Sequence, residues 1–313
     1  MWRQQFSERL ARPNRTVRGS SLLVATAACY KGRMSDARVN AVERFYDFHP
    51  INARQILDAV AARGIGPDAI TEDVLQQHDQ DHYGGTAATD RLIAEAAVRA
   101  DDLVLDVCSG MGGPARYLAW KTGCDVTGLD LTASRVEGAT ELTRVAGLSG
   151  SVRFVHGDAL AMPFGDASFT LAMAQESFAH IPDKPRLLAE CARVLRPAGR
   201  LVYSDILHRG NLSDRDAQRL FDGMAFSDIA TQDGYAQQLR SCGMEVVRLV
   251  DLTEEWTRIL VERHAMYRSL ESQTVARLGR EHFERYDRAY AHFVGLYQGG
   301  VLAGALIHAA RPG

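Results

Sequence analysis

The sequence predicts an α/β fold in which a doubly wound parallel sheet is covered by helices on both faces. The first observation is an apolar run at residues 104–107, typical of a buried strand, with three glycines following within residues 110–113. Glycine is needed where the backbone takes a positive φ or lies against a ligand without an intervening Cβ. The second observation is the alternation of strands and helices over residues 104–206, which indicates a parallel sheet.

The remaining elements follow from hydrophobic periodicity and from helix and turn signals. Helical spacing begins at Asn40 and ends at Gly64, and another helix is predicted at residues 86–99. Residues 196–199 form a turn between a helix and a strand, and two amphipathic, aromatic-rich segments precede an apolar run that we interpret as the last strand. Predicted strands cover residues 104–107, 124–129, 152–156, 169–174, 200–206, 245–252 and 299–310.

Length and composition limit the classes of function. A chain of 313 residues can bury a large core, and its formal charge of -3 argues against nucleic-acid binding, which usually shows a strongly basic patch. No apolar run approaches the roughly 18 residues of a membrane span. The five cysteines are scattered and odd in number, which argues against a disulfide framework or zinc site and predicts a cytoplasmic protein.

A polar, aromatic and glycine-closed loop, DQDHYGG at residues 79–85, lies one predicted helix upstream of the glycines. Such clusters are often surface connectors, so a surface turn is one interpretation. The position of the loop in the chain favours the other interpretation, a ligand-facing segment that carries Tyr83.

Acidic residues lie at or near the ends of three successive predicted strands: Asp106, Asp130 and Asp158. The carboxyl ends of parallel strands meet at one edge of a sheet, so these acids are expected along one crevice. An acid at Asp130 can bind both hydroxyls of a ribose, and one at Asp158 can accept a hydrogen bond from an adenine amino group. Each acid alone is more typical of a helix cap. Together the three predict an adenosine site.

The glycines alone do not separate a nicotinamide dinucleotide site from other adenosine sites, because Ala115 stands in a slot where alanine is tolerated. Asp106 distinguishes the two kinds of site. A carboxylate at the strand tip would repel a pyrophosphate but could pair with an α-amino group. An adenosine that carries an amino acid is S-adenosylmethionine.

These residues resemble the class I S-adenosylmethionine-dependent methyltransferases of the small-molecule type, from about Ala41 to the C-terminus. The motifs are VLDVCSGMGG at 104–113, GLDL at 128–131, HGDA at 156–159 and ARVLRPAGR at 192–200, with Ala198 where a glycine is usual. The resemblance implies a seven-stranded Rossmann-like sheet with N-terminal helices and a helical lid. It implies S-adenosylmethionine as cofactor, S-adenosylhomocysteine as product and no metal. The cofactor-binding residues that it implies are Asp106, Ser109, Gly110, Gly112, Asp130, Leu131, Asp158, Ala159 and Gln175.

Four segments are expected on this basis. Residues 1–33, where basic residues outnumber the single acid Glu8, are interpreted as a disordered or mis-annotated extension. A helical cover follows at 34–100, the cofactor-binding core at 101–206, and lid helices with the final strands at 207–313.

The candidate catalytic residues follow from a closer resemblance to particular methyltransferases. Residues 175–183, Trp256 and residues 299–308 resemble sarcosine and dimethylglycine N-methyltransferases, and also phosphoethanolamine, tocopherol and sterol methyltransferases. In the phosphoethanolamine enzymes a loop tyrosine and a histidine meet over the reacting amine, and Tyr83 and His180 occupy matching positions.

Three residues are therefore predicted to act on the acceptor. Glu176 would bind an amine N–H or accept its proton, His180 would act as general base, and Tyr83 would orient the substrate. The amine enzymes often carry Asp where this chain has Glu176. A purely structural hydrogen-bonding role is an equal alternative for His180.

The function expected from the resemblance is N-methylation of a small amine or amino-acid derivative by in-line transfer. One alternative is C- or O-methylation of a prenyl, quinone-like, sterol-like or other natural-product acceptor. Another is a catalytically idle S-adenosylmethionine-binding partner. The sequence does not decide the oligomeric state between a monomer and a homodimer.

Overall fold

Helices pack on both faces of one seven-stranded sheet, which confirms the predicted α/β class. The computed structural model describes Val42, residues 52–80 and residues 82–313. The predicted extension at 1–33 lies outside the described residues, as does nearly all of the predicted helical region before Asn52. Within the described residues, no helix is both long and apolar enough to cross a membrane.

The sheet brings the ends of β1 and β4 together. Its order is β3-β2-β1-β4-β5-β7-β6, and β1 to β5 run parallel to one another. The order of strands reverses between β1 and β4, and ligands of such sheets bind outside the carboxyl ends of the strands at this point. The strands are β1 (Leu103–Val107), β2 (Asp125–Asp130), β3 (Val152–His156), β4 (Phe169–Gln175), β5 (Leu195–His208), β6 (Glu245–Asp251) and β7 (Leu302–Ala310).

The last strand gives the sheet a mixed edge. β7 lies between β5 and β6 and runs antiparallel to both. Leu302, at the start of β7, pairs with His208 at the end of β5, so the chain enters the sheet at its carboxyl edge and runs back across it. The sheet is therefore mixed at this edge and wholly parallel only from β3 to β5.

The helices begin with recognisable caps. The Asn52 side chain accepts a hydrogen bond from the backbone N–H of Gln55, and Asp183 accepts one from Arg186, at two helix N-termini. The two predicted amphipathic segments form three helices, α9 to α11. The helices are α1 (Ala53–Ala62), α2 (Glu72–Leu75), α3 (Thr86–Ala96), α4 (Gly113–Thr122), α5 (Ala133–Val145), α6 (Lys184–Val194), α7 (Asp214–Met224), α8 (Gln232–Ser241), α9 (Thr253–Ser269), α10 (Glu271–Leu278) and α11 (Arg280–Gln298).

Two apolar layers enclose the sheet. On one face Trp256 of α9 packs directly on β7. The Trp256 ring is so close to Gly304 that a Cβ at this glycine would lie 2.2 Å from the ring. On the other face Leu187 of α6 and Tyr235 of α8 are fully buried. A third cluster joins α1 and α2 to Met111 of the glycine loop. The N-terminal helices are thus packed against the loop that was predicted to bind the cofactor.

Residues 196–199 differ from their prediction as a turn. They lie inside the long strand β5 as an irregularity, because Phe169 pairs with Leu195 while Leu171 pairs with Arg200. Within it Ala198 is exposed and has a φ of 60°, a left-handed conformation that favours glycine. The alanine that departs from the family motif therefore occupies a strained position.

Ala198→Gly is expected to stabilise the protein by up to about 1 kcal/mol, because relief of the left-handed strain exceeds the entropy that glycine adds to the unfolded chain. Urea unfolding measures the change. The matched control is Ala217→Gly at an exposed position within α7, which should destabilise by about 1 kcal/mol. Equal destabilisation by both changes would show that Ala198 is not strained.

Candidate active site

The loop after β1 is shaped by residues with positive φ. Cys108, Gly110 and Gly112 have φ values of 61°, 53° and 74°. A Cβ at Gly112 would lie 2.3 Å from the ring of Phe154, so a larger residue would clash as well as being strained. Gly113 then begins α4, whose first backbone N–H groups have no partner within the helix. The predicted cofactor loop is thus present, and close packing leaves no room for a side chain at Gly112.

Asp130 holds this loop in place. Its Oδ2 accepts a hydrogen bond from Gly110 N–H at 2.8 Å and its Oδ1 accepts one from Thr132 N–H at 2.9 Å. Burial raises the pKa of Asp130, and these two backbone bonds oppose the rise. Each carboxylate oxygen can accept a further hydrogen bond. The binding of both ribose hydroxyls by Asp130 stays a prediction that this geometry permits.

Two buried polar atoms beside the loop fit the amino-acid end of S-adenosylmethionine. Asp106 Oδ2 and Ser109 Oγ have no hydrogen-bond partner among the described residues. Burial, together with the charge of Asp130, raises the pKa of Asp106 to about 7. A buried acceptor without a donor is costly, so a ligand that brings an ammonium group here would satisfy it.

The residues predicted at the adenine end lie beyond β2 and β3. Asp158 Oδ1 accepts a hydrogen bond from Leu160 N–H at 2.8 Å, and burial raises its pKa. Ala159 is buried, and the Leu131 carbonyl accepts a hydrogen bond from His156 at 2.8 Å. These contacts fix the two turns that would enclose an adenine ring, whose binding here stays a prediction.

Gln175 ends β4 between the two halves of the site. Its Oε1 accepts a hydrogen bond from Thr89 Oγ1 of α3 at 3.1 Å. Its Nε2 is buried and finds no acceptor among the residues that the structure describes. The amide is therefore oriented by α3 and retains a donor.

The Asp79–Gly85 loop is not a surface turn. Asp79, Gln80 and His82 are all more than nine-tenths buried. A Cβ at Gly113 would lie 2.6 Å from the Asp79 carbonyl oxygen, so this loop packs directly on the start of α4. The surface-turn interpretation is therefore wrong, and the ligand-facing interpretation stays a prediction.

Arg116 is the main residue that sequence reasoning missed. It is fully buried in α4, and its Nη2 donates to Asp79 Oδ2 at 2.5 Å. Its Nη1 donates to the Met111 carbonyl at 2.9 Å, and Glu72 Oε2 lies 3.4 Å from its Nε. An arginine in a helical pattern is normally interpreted as exposed. The sequence therefore gives no indication that Arg116 is buried and paired with acidic residues.

Glu176 and Tyr83 meet at the end of β4. Glu176 has a φ of 54°, and its Oε2 accepts a hydrogen bond from the Tyr83 backbone N–H at 2.7 Å. The Tyr83 ring packs edge-on against Trp256 at 5.1 Å, and the Arg263 guanidinium lies 4.9 Å from the ring centre. Burial, then the nearby Tyr290 and Glu176, raise the pKa of the Tyr83 hydroxyl well above its usual value of 10. Tyr83 is therefore neutral at physiological pH.

His180 lies on a short 3-10 turn, Phe178–His180, just beyond Glu176. Its ring is buried, and Nδ1 lies 3.1 Å from the Ala225 carbonyl oxygen. A carbonyl can only accept, so Nδ1 carries a proton, and in a neutral ring Nε2 would be the basic nitrogen.

A small cavity adjoins these residues. This cavity of about 10 Å³, lined by Tyr83, Glu176, Ser204 and Trp256 among others, lies at the carboxyl edge of the sheet. A larger one of about 280 Å³ is lined by the first residues of β1 to β4, at the opposite edge. Ligands of this fold bind at the carboxyl edge, so the smaller cavity lies at the edge where the site is predicted.

Comparison with known proteins agrees with this geometry. A family model described as a methyltransferase domain matches residues 105–203. Methyltransferase GfsG of Streptomyces halstedii is 34% identical over 72% of this chain and 80% of its own length. A sarcosine/dimethylglycine N-methyltransferase of Halorhodospira halochloris is 30% identical over 62% of this chain and 70% of its own. The chain belongs to the class I S-adenosylmethionine-dependent methyltransferases.

Solved structures show the same fold. The geranyl diphosphate C-methyltransferase of Streptomyces coelicolor A3(2), in a complex that includes S-adenosylhomocysteine, is 18% identical and superposes with a TM-score of 0.66. The match covers 90% of this methyltransferase and 100% of that chain. The cofactor of this small-molecule methyltransferase is S-adenosylmethionine, and the buried acceptors at Asp106 and Ser109 are compatible with it.

Asp130→Ala is expected to weaken S-adenosylmethionine binding at least about tenfold, because it removes the free energy of one or two hydrogen bonds to a charged group. Isothermal titration calorimetry measures the dissociation constant. Asp125→Ala is the matched control, because Asp125 is an exposed acid at the other end of the same strand. Retention of tight binding by Asp130→Ala would contradict the ribose assignment.

The affinity for S-adenosylmethionine is expected to fall by up to about tenfold per pH unit as the pH drops below 7, through linkage to one proton. The pKa of Asp106 is raised to about 7, so acid protonates the carboxylate that the ammonium group of the cofactor would need. Calorimetry between pH 5.5 and 8 tests this. Asp106→Asn should bind more weakly at pH 8 and lose the slope. An equal slope in the two proteins would exclude Asp106 as its source.

Proposed function

We propose that this methyltransferase transfers a methyl group to the nitrogen of a small amine or amino-acid derivative. The observation that carries the proposal is the Glu176 carboxylate, held at the end of β4 by the Tyr83 backbone N–H in a small cavity that Tyr83 and Trp256 also line. A carboxylate beside aromatic faces is a favourable place for an ammonium group, through charge pairing and cation–π attraction. The likeness to a sarcosine/dimethylglycine N-methyltransferase also supports an amine acceptor.

When bound, S-adenosylmethionine supplies a methyl group that its sulfonium sulfur has already activated. The chain has to align the nucleophile and exclude water, and such positioning can contribute about 7–11 kcal/mol. Glu176 would bind an N–H of the acceptor and accept its proton. The buried Tyr83 ring and Trp256 would exclude water, and the neutral Tyr83 hydroxyl would orient the acceptor.

His180 supports a second acceptor class, a hydroxyl group. With Nδ1–H donated to the Ala225 carbonyl, Nε2 is the ring nitrogen that would act as the general base. A hydroxyl needs a base more than a neutral amine does, because its proton must leave as the nucleophile attacks. O-methylation, with His180 as the base, is therefore the alternative to test beside N-methylation. Cytoplasmic location and homodimer formation stay predictions.

The acceptor class is tested with labelled S-adenosylmethionine and a panel of sarcosine, phosphoethanolamine, geranyl diphosphate and a phenol. Glu176→Gln keeps an oxygen for the Tyr83 N–H but loses the charge. With an amine acceptor we expect kcat/KM to fall about 100-fold, as for loss of one acid–base group. The affinity for S-adenosylmethionine should remain within about twofold of the wild type.

The matched control is Glu255→Gln. Glu255 lies on the rim of the same small cavity but pairs with Arg91 at the surface, so its loss should leave amine turnover within about twofold, in line with the weak effect of exposed ion pairs. Turnover of the phenol alone, abolished by His180→Asn and unaffected by Glu176→Gln, would replace the amine proposal with the hydroxyl alternative.

A further inference from the structure

A buried pair of charged residues lies behind the turn that carries His180. Lys184, the first residue of α6, and Asp205 of β5 are both fully buried. The hydroxyl of Tyr235 donates to Asp205 Oδ2 at 2.5 Å. Burial raises the pKa of Asp205 to about 6, and the charge of Lys184 opposes the rise. Asp205 is therefore ionised at neutral pH, and Lys184, which has no access to water, pairs with Asp228 Oδ2 at 3.7 Å.

Lys184 binds two separate segments through their backbones. Its Nζ donates to the Ile181 carbonyl at 2.7 Å and to the Asp228 carbonyl at 2.6 Å. Ile181 directly follows His180, and Asp228 belongs to the segment after α7. One ammonium group thus ties the His180 turn to the segment that follows α7.

Asp205 fixes the same turn from the other side. Its Oδ1 accepts a hydrogen bond from Ala179 N–H at 3.2 Å. The Ala179 carbonyl in turn accepts hydrogen bonds from the N–H groups of Ser227 at 2.8 Å and Asp228 at 3.2 Å. The residues on both sides of His180 are therefore bonded to the buried pair or to the segment after α7.

This arrangement determines where the imidazole points. The acceptor of His180 Nδ1–H is the carbonyl of Ala225, at the start of the segment that Lys184 and Ala179 hold. If that segment moved relative to the turn, the ring would lose its partner and its orientation. Stability alone does not require these two buried charges, since well-packed apolar residues often replace buried charged groups at no cost.

We propose that Lys184 and Asp205 are positioning residues that aim His180 at the acceptor. The inference rests on the proposed part of His180 in methyl transfer. Neither residue touches the acceptor. Both act through the backbone on each side of His180.

Four variants test the proposal: Lys184→Met, Lys184→Arg, Asp205→Asn and the double variant Lys184→Met/Asp205→Asn. In Lys184→Met we expect kcat to fall at least tenfold with the accepted substrate, while the dissociation constant for S-adenosylmethionine stays within twofold. Lys184→Arg keeps donors for both carbonyls and should retain at least a third of kcat. Lys121→Met is the control, because Lys121 pairs with Asp90 at the surface of α4.

A second readout needs no acceptor. The Nδ1–H proton of His180 is buried and bonded, so it should give a slowly exchanging NMR signal, assigned by its loss in His180→Asn. The signal should vanish in Lys184→Met and Asp205→Asn and persist in Lys184→Arg and Lys121→Met. The double variant removes both charges and should fold as stably as the wild type, yet lack the signal.

The outcomes separate the two proposals. Full kcat in His180→Asn would refute the part of His180 in methyl transfer, whereas the NMR signal would still decide whether the pair positions the ring. A persistent signal and unchanged kcat in the double variant would overturn the positioning role. A loss of S-adenosylmethionine affinity in parallel with kcat would also overturn it, because the pair would then support the whole fold. If Lys184→Met does not fold, the double variant and Asp205→Asn decide.

Discussion

The site depends on one buried cation in α4. A guanidinium group without water must be paired, and Arg116 finds its partners in the N-terminal part of the chain. Burial, followed by the charge of Asp79, raises the pKa of Glu72 to about 9. Glu72 is therefore protonated at neutral pH. The contacts of Arg116 with Glu72 and Asp79, together with the apolar cluster around Met111, hold the N-terminal helices on the helix that follows the glycine loop.

The geometry of the acceptor side of the site depends on the contact between Arg116 and Asp79. Asp79 is fixed by Arg116, and a few residues later the Tyr83 N–H reaches Glu176. Arg263 of α9 binds the same segment again, by donating to the His82 carbonyl at 2.7 Å. The segment is therefore held by α4 on one side and by α9 on the other. The glycine loop, Glu176 and α9 are connected through it.

The cofactor half could be predicted from sequence because its determinants are local. Asp106 and Asp130 stand at strand ends, and the glycines that follow are needed for positive φ within a few residues of them. For the acceptor half the sequence indicated Glu176, Tyr83 and His180 but not the contacts that hold them, because these join distant parts of the chain: Arg116 pairs with a residue 37 positions earlier, and Glu176 bonds one 93 positions away. The segment 196–199 was predicted as a turn for a related reason, since only pairing with β4 makes it part of a strand.

The backbone is strained where the cofactor half and the acceptor half of the site meet. Cys108 and Glu176 follow β1 and β4, the strands on either side of the switch point, and both adopt a left-handed φ that costs about 1–2 kcal/mol outside glycine. Such conformations persist only where surrounding contacts over-determine them. At Glu176 the Ser204 carbonyl accepts its N–H at 2.8 Å while its side chain accepts the N–H of Tyr83. The strain turns the carboxylate out of the strand towards the Asp79–Gly85 loop, so the bonds that hold this loop also hold Glu176 where an acceptor would meet it.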